Sequence, residues 1–83
     1  MRWLYHVKVK HLMTEEEDHE SVSKAMSDIA EVLEKEPCFK GFPYLKKFRK
    51  IPEGNDILGP VDYANRLLDR LYDYADLNLI WIE

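Results

Sequence analysis

The sequence is poor in cysteine and lacks any long run of apolar residues. With a single cysteine, Cys38, the chain cannot form an internal disulfide, which favours a reducing environment. No stretch approaches the roughly 20 apolar residues that a transmembrane helix needs. Charged residues also interrupt the first eleven positions, where a signal peptide would carry an apolar segment. We therefore expect a cytoplasmic protein with no membrane partner.

Glycine and histidine are too scattered to form common cofactor or metal sites. The three glycines are isolated, and none opens a helix directly after a strand, as a phosphate-binding loop requires. An extended strand would direct His6 and His11 to opposite faces, and His19 is expected to be solvated on an acidic helix. No carboxylates are placed so that burial would push their pKa values apart for acid–base chemistry. We expect a protein that is not an enzyme and holds no cofactor or metal.

Charge is abundant and segregated. The chain is 34% charged and 46% hydrophobic with a net charge of −4, which fits a folded acidic protein. Its length fits one domain over residues 1–83. Residues 1–13 and 37–51 are basic, whereas residues 14–36 and 52–83 are acidic. This alternation predicts surfaces of opposite sign.

The amino-terminal residues alternate in character. A period of two with aromatic and β-branched side chains predicts a half-buried strand. The side expected to face the core carries Trp3, Tyr5, Val7 and Val9. The opposite side carries Arg2, His6, Lys8 and Lys10, with Leu4 as an apolar exception.

Two segments have the helical period. In the first, apolar residues recur at Val22, Met26, Ile29 and Leu33. Thr14 followed by Glu17 predicts a capping box at its start, and Pro37 ends it. In the second, Pro60 suits the first helical turn. Its apolar stripe consists of Val61, Ala64, Leu68, Leu71 and Ala75, widened by Leu67 and Tyr72.

The middle of the chain is ambiguous. Apolar residues recur every three positions at Phe39, Phe42, Leu45 and Phe48, but Gly41 and Pro43 oppose a continuous helix. We expect a loop anchored by phenylalanines, a short strand over 45–51, a turn at 52–55 and a second short strand near 56–58. The apolar residues 79–82 predict a terminal strand.

This order of elements predicts an α+β fold. The first choice is a ferredoxin-like βαββαβ two-layer sandwich with four strands and both helices on one face. The alternative omits the middle hairpin and leaves a β-α-α-β unit with a two-stranded sheet. Helices that connect strands usually make right-handed crossovers between parallel neighbours, so we expect the last strand beside the first.

The terminal strand has more apolar side chains than one covered face can use. Leu79 and Trp81 point to one side of it, and Ile80 and Ile82 point to the other. Unless the phenylalanine loop covers the second face, that face can bind another protein. The leading prediction is a small interaction or regulatory protein that docks through this sheet face or through its acidic helix. Homodimerisation would use the same surface. The predicted protein-binding residues are Leu4, Leu79 and Trp81.

The alternative function is nucleic-acid binding. The basic residues that support it are Arg2, His6, Lys8, Lys10, Lys46, Lys47, Arg49 and Lys50. On a four-stranded sheet the two basic segments would meet, with Trp81 as a stacking platform. Phosphate neutralisation dominates such affinity, and the acidic segments oppose it. We therefore favour a protein partner.

Overall fold

The computed structural model of the protein describes residues 2–9, 18–53 and 59–83. In chain order the elements are β1 (Tyr5–Val7), α1 (His19–Glu34), a first 3₁₀ helix (Pro37–Phe39), a second 3₁₀ helix (Leu45–Arg49), α2 (Pro60–Leu77) and β2 (Ile80–Ile82). In these three ranges neither long helix combines the length and apolar character needed to cross a membrane.

The two ends of the chain pair as a parallel sheet. Tyr5 lies opposite Ile80, and Val7 lies opposite Ile82. The prediction that the last strand lies beside the first is confirmed. The predicted ferredoxin-like βαββαβ sandwich is wrong, because the sheet of the described residues has two strands instead of four. Their arrangement is that of the β-α-α-β alternative.

The predicted strand over 45–51 is also wrong. Residues Leu45–Arg49 form a 3₁₀ helix that packs mainly on α1. A 3₁₀ helix has three residues per turn, so the three-residue spacing of Leu45 and Phe48 places both on one side. Phe48 is fully buried there. The predicted partner strand near 56–58 lies outside the described residues.

The two α-helices follow their apolar stripes. Val22, Met26, Ile29 and Leu33 of α1 are buried, as predicted. The N-cap of α1 is Asp18 instead of the predicted Thr14, which lies outside the described residues together with Glu17. Pro60 is the first residue of α2, as its sequence position predicted. The buried residues of α2 are Ala64, Leu67, Leu68, Leu71 and Ala75.

His19, at the start of α1, is half-buried and is not the solvated side chain that was expected. Its Nε2 lies 2.5 Å from the carbonyl oxygen of Ile51. Because a carbonyl oxygen can only accept a hydrogen bond, Nε2 is the donor. This bond attaches the chain after the second 3₁₀ helix to the beginning of α1.

The amino-terminal aromatic residues do not enter the core. Val7 and Val9 are buried, but Trp3 and Tyr5 are 37% and 52% exposed, so their predicted burial is wrong. β2 starts soon after α2 ends, and Tyr5 lies opposite the first residue of β2. Trp3, two residues ahead of Tyr5, therefore lies beside the last turn of α2, where it lines a surface groove with Ala75 and Asp76 instead of entering the core.

Candidate functional site

One carbonyl group at the carboxy-terminal end binds two residues near the amino terminus. The carbonyl oxygen of Leu79 accepts hydrogen bonds from the backbone N–H groups of Leu4 at 2.7 Å and Tyr5 at 3.2 Å. Leu79 has a φ of 56°, the left-handed conformation in which glycine is usual after a helix. A leucine in this conformation costs stability, and such strain persists where the surroundings fix it, often at functional sites.

Exposed apolar side chains gather where the ends meet. The exposed large hydrophobic residues of the described chain are Trp3, Leu4, Tyr5, Leu77 and Trp81. All lie within residues 3–5 and 77–81. We define the terminal apolar surface as Trp3, Leu4, Leu79 and Trp81, which includes the three residues predicted to bind a protein. Leu4 is 63% exposed, Trp81 is 46% exposed and Leu79 is half-buried.

The phenylalanine loop does not cover this surface. Phe39, Phe42 and Phe48 are buried in the core, where Phe42 also contacts Tyr74 with ring centroids 5.2 Å apart. Ile80 is buried and Ile82 packs against the core, while Trp81 faces outward between them. The alternation predicted for residues 79–82 is therefore present in the structure.

A groove runs between this surface and α2. Trp3 and Trp81 meet edge to face, with ring centroids 5.3 Å apart and ring planes inclined by 74°. The cavity beside them has a volume of about 180 Å³. We call it the tryptophan groove; it is lined by Trp3, Tyr72, Ala75, Asp76, Ile80, Trp81 and Ile82.

The composition of the tryptophan groove favours a cation. Trp3, Trp81 and Tyr72 supply three aromatic rings, and the charged side chain of the lining is the carboxylate of Asp76. The negative faces of aromatic rings attract ammonium and guanidinium groups, and a carboxylate adds an opposite charge. Partial burial raises the pKa of Tyr72, so its phenol stays neutral at physiological pH.

The free edge of β2 lies away from β1. Leu79 and Glu83 direct backbone groups to β1, since Leu79 accepts from Tyr5 and Glu83 donates to Val7. Alternate residues of a strand direct these groups to opposite edges, so those of Ile80 and Ile82 point away from β1. In residues 2–9, 18–53 and 59–83 no strand pairs with this edge. Such an edge can accept an extended segment of another chain.

A side-chain contact on the outer face of the sheet joins β1 to Glu83. His6 lies opposite Trp81, and its Nε2 is 2.7 Å from Oε2 of Glu83. Both side chains are more than half exposed. This contact ties β1 to the last residue of the chain beside the terminal apolar surface.

The described residues of the predicted basic patch belong to two different segments of the chain. Arg2, His6 and Lys8 are exposed on the chain of β1, and Lys10 lies outside the described residues. Lys46, Lys47, Arg49 and Lys50 are exposed on or after the second 3₁₀ helix. Since that segment is not a strand, it does not join the sheet of β1. Arg49 is also engaged, donating bonds of 2.9 and 3.0 Å to the two carboxylate oxygens of Glu34.

The sequence patterns do not predict that three residues of the tryptophan groove line a binding site. Trp3 and Tyr72 follow apolar patterns that normally mark core residues, and Asp76 belongs to the charged side of α2. Tyr72 and Asp76 are four positions apart, so they are neighbours on one helix face. That spacing is the sequence signal that pairs them, but it does not reveal the tryptophans opposite.

The described residues offer little for redox or metal chemistry. Cys38 is a half-buried free thiol, and burial raises its pKa, as does the nearby charge of Glu36. The raised pKa disfavours the reactive thiolate. Within the described ranges no three His, Cys, Asp or Glu side chains come together as metal ligands would.

The chain matches no protein-family model, no curated protein and no solved structure.

Proposed function

We propose that this protein docks a partner protein through the terminal apolar surface, and that a lysine or arginine of the partner enters the tryptophan groove. The observation that carries the proposal is that Trp3, Trp81, Tyr72 and Asp76 line one cavity. Tryptophan and tyrosine dominate the energy of many protein interfaces, because they bury large areas with little loss of conformational freedom.

The charge of the groove favours a cationic side chain. The aromatic rings and Asp76 attract a cation, whereas a carboxylate there would be repelled by Asp76 and by the ring faces. The volume of about 180 Å³ is small for a whole ligand but suits the end of one side chain. The rest of the partner segment would lie over Leu4 and Leu79, where apolar contacts bury additional surface area.

The exposed edge of β1 is poorly suited to pairing with a second copy of this chain. Two copies that pair through β1 as antiparallel strands would bring their basic residues close together, Lys8 among them. Like charges opposite each other destabilise a strand pair, and edge lysines are a common obstacle to self-pairing. A partner that docks at the tryptophan groove does not meet this repulsion, because the charged side chain of its lining is Asp76.

Part of the acidic face of α1 is already engaged within the protein. Among its described carboxylates, Glu34 is held by Arg49 in a two-bond contact, and Glu31 lies 3.7 Å from Lys35. A partner would have to displace these contacts. The terminal apolar surface, in contrast, exposes its aromatic side chains.

The test is selection from a random peptide library displayed on phage, with the purified protein as the target. We expect enrichment of peptides with a lysine or arginine next to apolar residues, and loss of this enrichment with Trp81→Ala. The best peptide would then be titrated by tryptophan fluorescence. The chain has two tryptophans and both line the groove, so the signal reports on this site.

Matched variants of α2 separate the groove from general charge. Asp76→Asn should lower the affinity for the selected peptide about 3- to 10-fold. Asp73→Asn, an exposed position one turn earlier and outside the groove lining, should leave the affinity within about twofold. The proposal is wrong if acidic peptides are enriched, or if the selected peptides bind Trp81→Ala as well as the unaltered protein.

Size-exclusion chromatography with light scattering measures the mass of the protein in solution, and so tests whether a second copy of the chain occupies the terminal apolar surface. A monomer supports a separate partner. A dimer that dissociates in Trp81→Ala would mean that a second copy fills the surface, which would contradict the proposal.

A further inference from the structure

A second cavity lies between the second 3₁₀ helix and α2, away from the sheet. Its volume is about 230 Å³. We call it the basic cavity; it is lined by Tyr44, Lys47, Tyr63, Arg66, Leu67 and Arg70. All of its charged side chains are positive, although the whole protein carries a net charge of −4.

The three cations of the basic cavity are not neutralised by their helical neighbours. Asp62 precedes Arg66 by four positions and Asp73 follows Arg70 by three, spacings that commonly produce ion pairs on a helix. Yet the lysine and arginine side chains that pair with a carboxylate in the described residues are Lys35, with Glu31, and Arg49, with Glu34. Within that part of the chain, no carboxylate lies within 4.0 Å of Lys47, Arg66 or Arg70.

Two of the cations are instead placed against an aromatic ring. Lys47 Nζ lies 5.4 Å from the ring centroid of Tyr44, and Arg70 Cζ lies 5.8 Å from the same centroid. Tyr44 in turn packs edge to face on the buried Phe42, with ring centroids 5.9 Å apart. The core therefore holds Tyr44, and Tyr44 orients Lys47 and Arg70 through cation–π contacts. Cations held in this way lose less freedom when they bind an anion.

We propose that the basic cavity binds a phosphate monoester. A phosphate carries close to two negative charges at neutral pH and presents oxygens in the geometry that guanidinium groups contact in pairs. Lys47, Arg66 and Arg70 can share this charge, and the phenol groups of Tyr44 and Tyr63 are additional hydrogen-bond donors. A single carboxylate offers half the charge and fewer acceptor oxygens.

The size and surroundings of the basic cavity favour a small ester over a polymer. Drug-sized ligands occupy pockets of roughly 300 to 1,000 Å³, so a cavity of about 230 Å³ suits a phosphoryl group and a short attachment. Asp62, Asp69 and Asp73 are exposed on the same helix. They would repel the neighbouring phosphates of a nucleic acid, which needs an extended basic track.

The experiment is a titration followed by amide chemical shifts in ¹⁵N-labelled protein, at constant ionic strength. The probes are phenyl phosphate, inorganic phosphate, benzoate and a short single-stranded oligonucleotide. We expect saturable shifts with both phosphate probes, centred on residues 44–47 and 63–70, at concentrations below about 5 mM. Benzoate should bind about tenfold more weakly, since it has one charge. Lowering the pH below about 6 should weaken the binding of both phosphate probes, because the phosphate group takes up a second proton and loses one negative charge.

Arginine variants test the assignment of the site. Arg66→Gln and Arg70→Gln should each lower the affinity for phenyl phosphate about tenfold. The matched control is Arg49→Gln, which removes the same charge from the second 3₁₀ helix but from a side chain bonded to Glu34; it should change the affinity less than about twofold. Each variant is first checked for a folded, dispersed spectrum, so that loss of binding is not loss of structure.

Three results would overturn the proposal. The first is the absence of a saturable shift with either phosphate probe. The second is an equal loss of affinity in Arg49→Gln and Arg70→Gln, which would indicate general surface charge. The third is oligonucleotide binding without phosphate-monoester binding, which would instead assign the basic residues to nucleic acid. None of these results bears on the tryptophan groove, which lies on other residues.

Discussion

Trp3 and Trp81 touch edge to face with ring centroids 5.3 Å apart, although they belong to opposite ends of the chain. Both remain more than one-third exposed, so they contact each other without entering the core. The pairing of β1 with β2 brings them together, and the helices leave them uncovered. This contact forms one wall of the proposed docking groove.

The first prediction concerns the coupling between these rings. Trp3→Ala, Trp81→Ala and the double variant should reveal a coupling energy of about 0.5–1.5 kcal/mol in the free energy of unfolding. Chemical denaturation followed by circular dichroism measures all four proteins without relying on tryptophan emission. Strict additivity of the two single variants would contradict a direct ring contact.

The second prediction concerns the strained backbone at Leu79. Leu79→Gly removes the cost of a left-handed leucine, about 1–2 kcal/mol, and loses a half-buried side chain in exchange. We expect the free energy of unfolding to stay within about 1 kcal/mol of the unaltered protein, because these effects oppose each other. Binding of the selected peptide should nevertheless weaken, since Leu79 belongs to the docking surface.

Leu79→Ala is the control for that variant. It loses most of the side chain but keeps the strain, so it should be less stable than Leu79→Gly. The reverse order in thermal unfolding would show that the backbone at this position carries no strain.

The third prediction compares a buried residue of the second 3₁₀ helix with an exposed residue of α2. Phe48 is fully buried, so Phe48→Ala should lower the free energy of unfolding by about 3–5 kcal/mol. Leu77 is 84% exposed, so Leu77→Ala should change it by no more than about 0.5 kcal/mol. Urea denaturation measures both. Similar effects in the two variants would contradict the observed packing of the phenylalanine segment.

The fourth prediction concerns acid. The backbone N–H of Ser21 donates to Asp18 Oδ1 at 2.8 Å, and its hydroxyl donates to Oδ2 at 3.1 Å. These bonds hold the pKa of Asp18 below its ordinary value of 3.8. A carboxyl with a lowered folded pKa stabilises the fold above its unfolded pKa. That contribution is lost as the pH falls through the folded value.

Thermal unfolding from about pH 6 to pH 2.5 tests this dependence. Asp18→Asn keeps a cap acceptor but cannot titrate, so its melting temperature should fall less over this range than that of the unaltered protein. Arg49 also lowers the pKa of Glu34, so Glu34→Gln should reduce the acid sensitivity in the same direction. Identical acid profiles for the unaltered protein and Asp18→Asn would contradict the proposed role of the cap.

Local patterns were sufficient to identify the α-helices and both terminal strands. Met26 and Ile29 lie on a stripe that a helix must bury, and Pro60 marks the start of α2. The predicted strand around Phe48 is wrong because a three-residue spacing of apolar side chains also fits a 3₁₀ helix. The ferredoxin-like prediction depends on that strand and its partner near 56–58, which together with the terminal strands would make four.

The sequence by itself determined which two segments are α-helical, that the ends of the chain form strands, and that apolar side chains are in surplus there. These features depend on the period of apolar residues along one segment, which is a local property. Only the tertiary structure decided that Trp3 leaves the core and joins Trp81, Tyr72 and Asp76. It also decided that Arg70 turns to Tyr44 instead of to an aspartate of its own helix. Such groupings depend on where one element ends relative to another, and residues far apart in the chain share no local pattern that records it.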